Sequence, residues 1–296
     1  MNTNRIYSNL LNSIRDNGDS VETRNSKVKT YHLLDNTTFD RFPLVTVRKT
    51  QWKKAIEEMA WFMSGDIKCP DNLLNWWKGQ LNKYNELENG YSIQFRASSW
   101  DNSYDGIYYF DQIEFILNGL RNNPNSRRLL MTVWNPGEMA NITEVNDNPN
   151  TPTCCHSIVV QFFVRNGELH IKTYQRSADM LLGVPHNWVQ SWAMLMYFAH
   201  HSNLKVGTMT WMWGDAHIYE EESHISVVNK IGNLAVTAYF AQKDSELYNY
   251  FWENTSIDLV YNPAPSDEPV PPFLADDFSI VGEIPQPLVK IKPKLL

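Results

Sequence analysis

Two of the chain's three thiols stand side by side in TPTCCHSIVVQF, residues 151 to 162, at the mouth of a β-branched run. A thiolate is a strong nucleophile, but an unperturbed thiol with a pKa of ~8.5 is only a few per cent ionised at neutral pH. Lowering that pKa by ~1.5 units makes it about half ionised, and a neighbouring guanidinium does so. The dipeptide Asn166-Gly167 signals a two-residue hairpin turn, with strands expected from about Cys155 to Val164 and from Leu169 to about Ser177. In that register Arg165 faces Glu168, Ser157 faces Arg176 and Cys155 faces Ala178. Cys155, Ser157 and Arg176 then share one face of the ribbon, while Cys154, His156 and Ser177 share the other, provided no bulge shifts the pairing. Cys155 beside Arg176 then has the making of an activated nucleophile, and Cys154 the making of a packed thiol. The competing arrangement is two small core residues, since free cysteine is among the most buried residue types. A zinc site from Cys154, Cys155, His156 and the distant His200-His201 has poor ligand spacing.

Downstream, QRSADMLLGVPHNW (175–188) offers an arginine and a serine for an anion, and Asp179 as a nearby carboxylate. Asn187 can donate and accept at once; on spacing alone it reads as a helix N-cap, with Gln190 completing a capping box. Arg127 and Arg128 are consecutive in an expected strand, so they point to opposite faces, and one of them can serve another subunit. In WMWGDAHIY (211–219) His217 and Tyr219 fall on one face if extended, where an imidazole and a phenol could hold a sugar hydroxyl. Glu58, in EEMAWF, sits beside Trp61 and Phe62 on a helix, a setting that raises a carboxylate's pKa and suits proton shuttling. A solvated surface glutamate and a satisfied polar histidine are the commoner cases for such residues.

The elements that must position these groups are legible in outline. Apolar residues at helical spacing mark helices over Ile6–Ile14, Trp52–Phe62, Tyr109–Leu120 and around Trp188–Ala199. Residues 71 to 106 read as loops and short helices. Leu129, Met131 and Val133 alternate as a strand ending near Asn135-Pro136-Gly137; a polar loop follows through Thr153, and Thr208–Trp213 reads as another strand. The proline-rich stretch 262 to 272 reads as a surface loop ahead of a docked tail, so a single domain over 1–296 is expected. With 296 residues, 43% of them hydrophobic, a substantial core is available. A net charge of −7 disfavours nucleic acid or an anionic membrane as the main partner, and no window approaches the ~18 apolar residues a membrane span needs. Three cysteines without a CxxC pair fit a reducing, cytoplasmic setting rather than a disulfide scaffold.

Taken together, CH at 155–156, QRSxDxxLGxPxN at 175–187 and GDxHxY at 214–219 resemble the thymidylate synthase and deoxypyrimidine hydroxymethylase superfamily. FPLVT at 42–46, EEMAWFMSGD and NSRR at 125–128 extend the resemblance over roughly Ile6 to Ile291. It implies an α/β fold with a large mixed, mostly antiparallel sheet, packed helices and a homodimer formed through the sheet. It also implies 5,10-methylenetetrahydrofolate as cosubstrate, no metal, and a cysteine thiolate that adds to carbon 6 of a pyrimidine nucleotide so that carbon 5 can capture a one-carbon unit. By this resemblance Cys155 is the nucleophile, and Arg24, Gln175, Arg176 and Ser177 bind the nucleotide, joined by Arg127 and Arg128 across the dimer. Asn187 would bond the base, His217 and Tyr219 the ribose, and Glu58, Tyr91 and His156 would organise protons and water. Trp76 or Trp77, Asp179, Leu182, Gly183 and His186 would line the folate pocket. Cys154 stands where the family usually has proline.

Asparagine at 187 matches uracil, where deoxycytidylate hydroxymethylases carry aspartate, so dUMP is the expected substrate. The outcome depends on whether hydride or water reaches the methylene on carbon 5. His186 replaces the family's phenylalanine in PFN, the glycine-rich loop around Thr23-Arg24-Asn25-Ser26 is shortened, and the acidic residue that follows the folate-stacking tryptophan in synthases is absent around Asn75-Trp76-Trp77-Lys78. An imidazole that can position water points to a dUMP hydroxymethylase, the type of enzyme associated with phage DNA modification, with thymidylate synthase as the alternative. A nucleotide- or RNA-binding regulator without turnover is a third reading, opposed by the joint presence of Glu58, Cys155, Asn187 and His217.

Overall fold

The apolar stripe of the first segment folds as helix α1 (Thr3–Asn17), and Asn2 caps it by accepting the N–H groups of Asn4 and Arg5. The computed structural model describes residues 2–23, 26–87, 90–102, 106–136, 154–241, 243, 245–253 and 256–291. After α1 come strands β1 (Asp19–Glu22), β2 (Lys27–Thr30) and β3 (Thr37–Phe39), then helix α2 (Trp52–Ser64). Gly65, at φ 83°, closes α2 in the left-handed conformation that glycine adopts freely. Short helices α3 (Leu74–Trp77) and α4 (Tyr91–Arg96) precede a hairpin of β4 (Ser98–Asn102) and β5 (Gly106–Phe110). Helix α5 (Gln112–Asn122) and strand β6 (Leu130–Thr132) follow. The second half contains β7 (Val159–Arg165), β8 (Glu168–Asp179), α6 (Val184–His201), β9 (Lys205–Tyr219), α7 (Glu222–Phe240), α8 (Glu246–Trp252), β10 (Asp258–Tyr261) and β11 (Phe278–Val281).

Seven of these strands form one sheet in the order β1-β2-β9-β8-β7-β6, with β3 pairing β9 beside β2. All its pairings are antiparallel except β8 with β9, which run parallel because α6 carries the chain back between them. This is the mixed, mostly antiparallel sheet with packed helices that the resemblance implied. Val160, Phe162, Leu169, Ile171, Met209 and Trp211 are fully or almost fully buried on one face, against α1 and α6, and α2 packs on α6. Fully burying one such side chain contributes about 1.5–3 kcal/mol. On the other face Val159, Gln161, Phe163, Tyr174 and Met212 are only half-buried, and Lys172 is exposed.

Asn166 and Gly167 take φ of 53° and 78°, the pair of left-handed residues that a tight hairpin turn requires, and Arg165 faces Glu168 as expected. The pairing holds back to Val159 opposite Tyr174 and then breaks, so β7 does not reach Cys155. Ser157 is the reason: at φ 51° it leaves the extended conformation, and the Cys155 carbonyl accepts the N–H groups of Arg176 and Ser177 in an irregular arrangement. The assignment of Cys155, Ser157 and Arg176 to one ribbon face is thereby superseded.

Other boundaries moved as well. β8 runs on to Asp179, and β9 spans Lys205–Tyr219 rather than ending at Trp213, so the whole GDAHIY motif lies in strand. Tyr109 belongs to β5 and not to the following helix. Arg127 and Arg128 lie in a turn ahead of β6, both exposed, so strand alternation does not govern them. The proline-rich segment lacks regular structure and leads into β11, which pairs with β10. The polar loop expected before Thr153 falls outside the described residues, as does the end of the tail after Ile291. Among the described residues no helix is long and apolar enough to cross a membrane.

Candidate active site

The thiol pair is resolved by the irregular backbone just ahead of β7. Cys154 is buried at 4% exposure, while Cys155 is half-buried. Tyr91, the first residue of α4, organises this segment: its hydroxyl oxygen accepts the N–H of Cys155 at 2.8 Å and that of His156 at 3.3 Å. The same hydroxyl can donate to Cys155 Sγ, 3.5 Å away. The His156 ring stacks on Tyr91 with centroids 4.7 Å apart, and Nδ1 lies 3.2 Å from Ser157 Oγ. Burial holds the His156 pKa down to about 3, so the ring is neutral.

Arg176 reaches the same backbone from β8. One of its terminal nitrogens donates to the Cys154 carbonyl at 3.4 Å, and the guanidinium lies over the Trp134 ring at 5.3 Å. Among the described residues its Nε is buried without a hydrogen-bond partner, as is Gln175 Oε1, so both atoms can meet a ligand. The expected lowering of the Cys155 pKa is overturned. Burial pushes the thiol up, and the Tyr91 hydrogen bond and the Arg176 charge offset this only in part.

The carboxylate side is built from two packed helices. Glu58, on the buried face of α2, is 9% exposed and accepts hydrogen bonds from Trp77 Nε1 at 2.5 Å and from Gln190 Nε2 on α6. Burial raises its pKa to about 7, with the two hydrogen bonds acting in the opposite direction. A carboxyl poised there exchanges protons readily near neutral pH. Gln190 thus serves Glu58 and not a capping box; α6 begins at Val184 after Gly183, with Pro185 in its first turn. Asn187 lies inside the helix and is buried at 7% exposure. The N-cap reading of Asn187 therefore fails.

The turn between β8 and α6 is held from several sides. Asp179 Oδ1 accepts the N–H groups of Leu181 and Leu182 at 2.9 and 3.0 Å. Arg48, 4% exposed, donates through Nε to the Leu181 carbonyl at 3.0 Å and through Nη2 to the Leu182 carbonyl at 3.3 Å. His186 lies edge-on to Trp76 at 5.2 Å, Nδ1 is 2.8 Å from the Leu182 carbonyl, and Nε2 accepts the Gln51 N–H at 3.2 Å. Trp76 is half-buried whereas Trp77 is committed to Glu58, which distinguishes the two tryptophans. A planar ligand thus finds an available indole at Trp76, a half-buried Leu182 and the Asp179 carboxylate, a set that fits a folate. On β9, His217 and Tyr219 share a face with ring centroids 5.5 Å apart, both 7% exposed.

Cys155, Tyr91, His156, Arg176 and Gln175 are therefore gathered at one end of β8, while Trp77 and Gln190 meet Glu58 where α2 packs on α6, and Asn187 lies three residues before Gln190 on α6. Ser177, half-buried, donates its N–H to the Cys155 carbonyl at 3.4 Å. Arg127 and Arg128 make no ion pair among the described residues, and Arg24 lies outside them. His200 and His201, raised as distant zinc ligands, pack instead on Tyr261, and His201 Nε2 lies 2.9 Å from its hydroxyl. Sequence reasoning missed Arg48 and Trp134 and misread Gln190. Arg48 did carry a signal, a guanidinium directly after the apolar run of FPLVTV; the other two did not.

A thymidylate synthase family model matches residues 5–254 of the chain. The thymidylate synthase of Corynebacterium aurimucosum (strain ATCC 700975 / DSM 44827 / CIP 107346 / CN-1) is 34% identical over 233 residues, covering 77% of this chain and 81% of that protein. The chain belongs to the thymidylate synthase family, whose enzymes are methylenetetrahydrofolate-dependent transferases acting at carbon 5 of dUMP.

Proposed function

We propose that this member of the thymidylate synthase family converts dUMP to dTMP, with Cys155 as the nucleophile. The sulfur forms a bond to carbon 6, and the electron pair of the 5,6 double bond moves onto carbon 5 and the carbonyl oxygen at position 4. Tyr91, within 3.5 Å of the sulfur, and the Arg176 charge stabilise the thiolate as it forms, against the burial that otherwise holds the proton on. Asn187, buried inside α6, donates to a pyrimidine carbonyl and accepts from the ring N–H, a pattern that suits uracil. Glu58 holds or releases a proton near pH 7 beside the base. Bound methylenetetrahydrofolate supplies the one-carbon unit and, in this reading, the hydride.

Arg176 and Ser177 bind the nucleotide's anionic end, with Arg127 and Arg128 contributed by the second subunit of a homodimer, and Gln175 Oε1 accepts from a donor group of the nucleotide. The half-exposed sheet face and the exposure of both turn arginines support that assembly. His217 and Tyr219 hold the ribose, and Trp76, Leu182, Gly183 and Asp179 form the folate wall. The choice of dTMP is carried by one observation: both nitrogens of His186 are already engaged, with Leu182 and with Gln51, which leaves none to activate water. The 34% identity to the Corynebacterium thymidylate synthase adds support.

Hydroxymethylation of dUMP is the second reading, favoured by the polar ring beside Trp76 and by Lys78 where an acidic residue is usual. Incubation with dUMP and methylenetetrahydrofolate, followed by mass analysis, decides between them. A nucleotide heavier by a methylene with dihydrofolate released is dTMP. A gain of a methylene plus an oxygen with tetrahydrofolate released overturns it in favour of hydroxymethyl-dUMP. Faster turnover of dCMP than of dUMP would remove the Asn187 assignment. Tight dUMP binding without a covalent adduct to fluoro-dUMP and folate would point to a regulator.

A further inference from the structure

Helices α2 and α6 are joined by polar contacts at two levels. Inside the site Gln190 donates to Glu58. At the outer ends, the Gln51 N–H, at the N-cap of α2, donates to His186 Nε2 at 3.2 Å. The same ring approaches the Leu182 carbonyl through Nδ1 at 2.8 Å, a contact that requires the hydrogen on Nδ1 because a carbonyl only accepts. Arg48 Nη2 shares that carbonyl. The two bonds of the imidazole are thus of opposite sense, one donated and one accepted, and only the neutral Nδ1–H tautomer makes both. Burial, and then the Arg48 charge, hold the ring's pKa to about 3, so this tautomer persists at neutral pH.

We propose that His186 is a positioning residue, a brace that fixes the Leu181–Gly183 turn against the N-cap of the Glu58 helix. The brace acts across the site: one end holds the wall assigned to folate, the other the helix whose carboxylate handles protons. A phenyl ring at this position would keep the edge contact with Trp76 but could make neither bond. The inference rests on the folate reading of this turn for its effect on catalysis, while the brace itself is geometric.

The test uses the full-length enzyme and three variants. In His186→Phe, hydrogen exchange at the Gln51 amide is expected to rise about ten-fold, and the KM for methylenetetrahydrofolate about three- to ten-fold, the scale of one lost hydrogen bond. The KM for dUMP should stay unchanged. His186→Gln, which offers an acceptor near Gln51, should recover part of both effects. Unchanged Gln51 exchange and folate KM in His186→Phe would overturn the brace. If that variant does not fold, His186→Gln and His186→Asn decide, because only glutamine reaches Gln51; equal amide exchange in the two would overturn the proposal. A wild-type chain inactive on dUMP, with nitrogen NMR showing the Nδ1–H tautomer and with a protected Gln51 amide, would refute the reaction assigned above and leave the brace standing.

Discussion

Glu58 stands on one regular helix packed against another, whereas Cys155 stands on irregular backbone just ahead of β7, pinned by hydrogen bonds from Tyr91, Arg176 and Ser177. The carboxylate side gains its chemistry from burial, which lifts a proton affinity to where it is useful. On the thiol side burial works against the chemistry, and neighbouring donors must offset it. Helix packing excludes water well, but a strand ladder would have fixed the Cys155 side chain to one face. The left-handed Ser157 releases it from that register.

The strongest way to break this comparison is Cys155→Ala. Turnover should fall by about 10³-fold or more, and no covalent adduct with fluoro-dUMP and folate should be seen by mass spectrometry. Retained turnover would show that the irregular segment does not hold the nucleophile.

Glu58→Gln should lower kcat by about 10²–10⁴-fold and remove the limb of the pH–rate profile near 7. Stability should move the other way. With a folded pKa of about 7 against an ordinary 4.5, the native chain retains a proton that the unfolded chain has lost, so stability falls as pH rises across that window. Above pH 7 the glutamine variant should therefore be more stable, by ~1–2 kcal/mol after the loss of one acceptor is counted, and melt at a higher temperature. A lower melting temperature at pH 8 would mean that the two helices need the charge.

His156 gives the opposite pH dependence on the thiol side. Its folded pKa of about 3 lies below the ordinary 6.5, so the unfolded chain binds the proton first and stability falls as pH drops through that range. The slope is up to ~1.4 kcal/mol per pH unit for this histidine. Denaturant titrations of wild type and His156→Phe between pH 7 and 5 should show a steeper decline in wild type.

Ser157→Val should cost ~1–2 kcal/mol, because a β-branched residue resists the left-handed conformation, and should lower turnover by displacing Cys155. Ser157→Gly should leave the stability near that of wild type. The smallest effect belongs to the neighbouring thiol: Cys154→Ala should keep turnover within about two-fold, and its measurable change should be in unfolding, by ~1 kcal/mol.

Much of the scaffold was readable because local chemistry and tertiary structure agreed there. Asn166-Gly167 can form one kind of tight turn without penalty, so the register of β7 against β8 follows from two residues. Alternation in β6 and the apolar stripes of α1 and α2 mark faces that must be buried whatever they pack against. The candidate residues Cys155, Arg176, Glu58 and Asn187 stood out because of their types and order along the chain.

What the sequence by itself determined is therefore the inventory of reactive groups, the hairpin and the helices, since these depend on contacts a few residues long. Only the tertiary structure decided the rest. Strand alternation could not foresee the turn of Ser157, because a buried left-handed serine is stabilised by its surroundings rather than by its own preference. Spacing made Gln190 a cap, whereas packing of α6 on α2 turned it toward Glu58. A guanidinium near a thiol promised ionisation, but the sum of burial and charge has its sign fixed by how much protein surrounds the sulfur. The partners of the His186 imidazole, Leu182 and Gln51, were likewise out of reach of local reading, because Gln51 is far away in sequence. Long-range packing sets which partners a side chain meets, and therefore which of its possible chemistries remain.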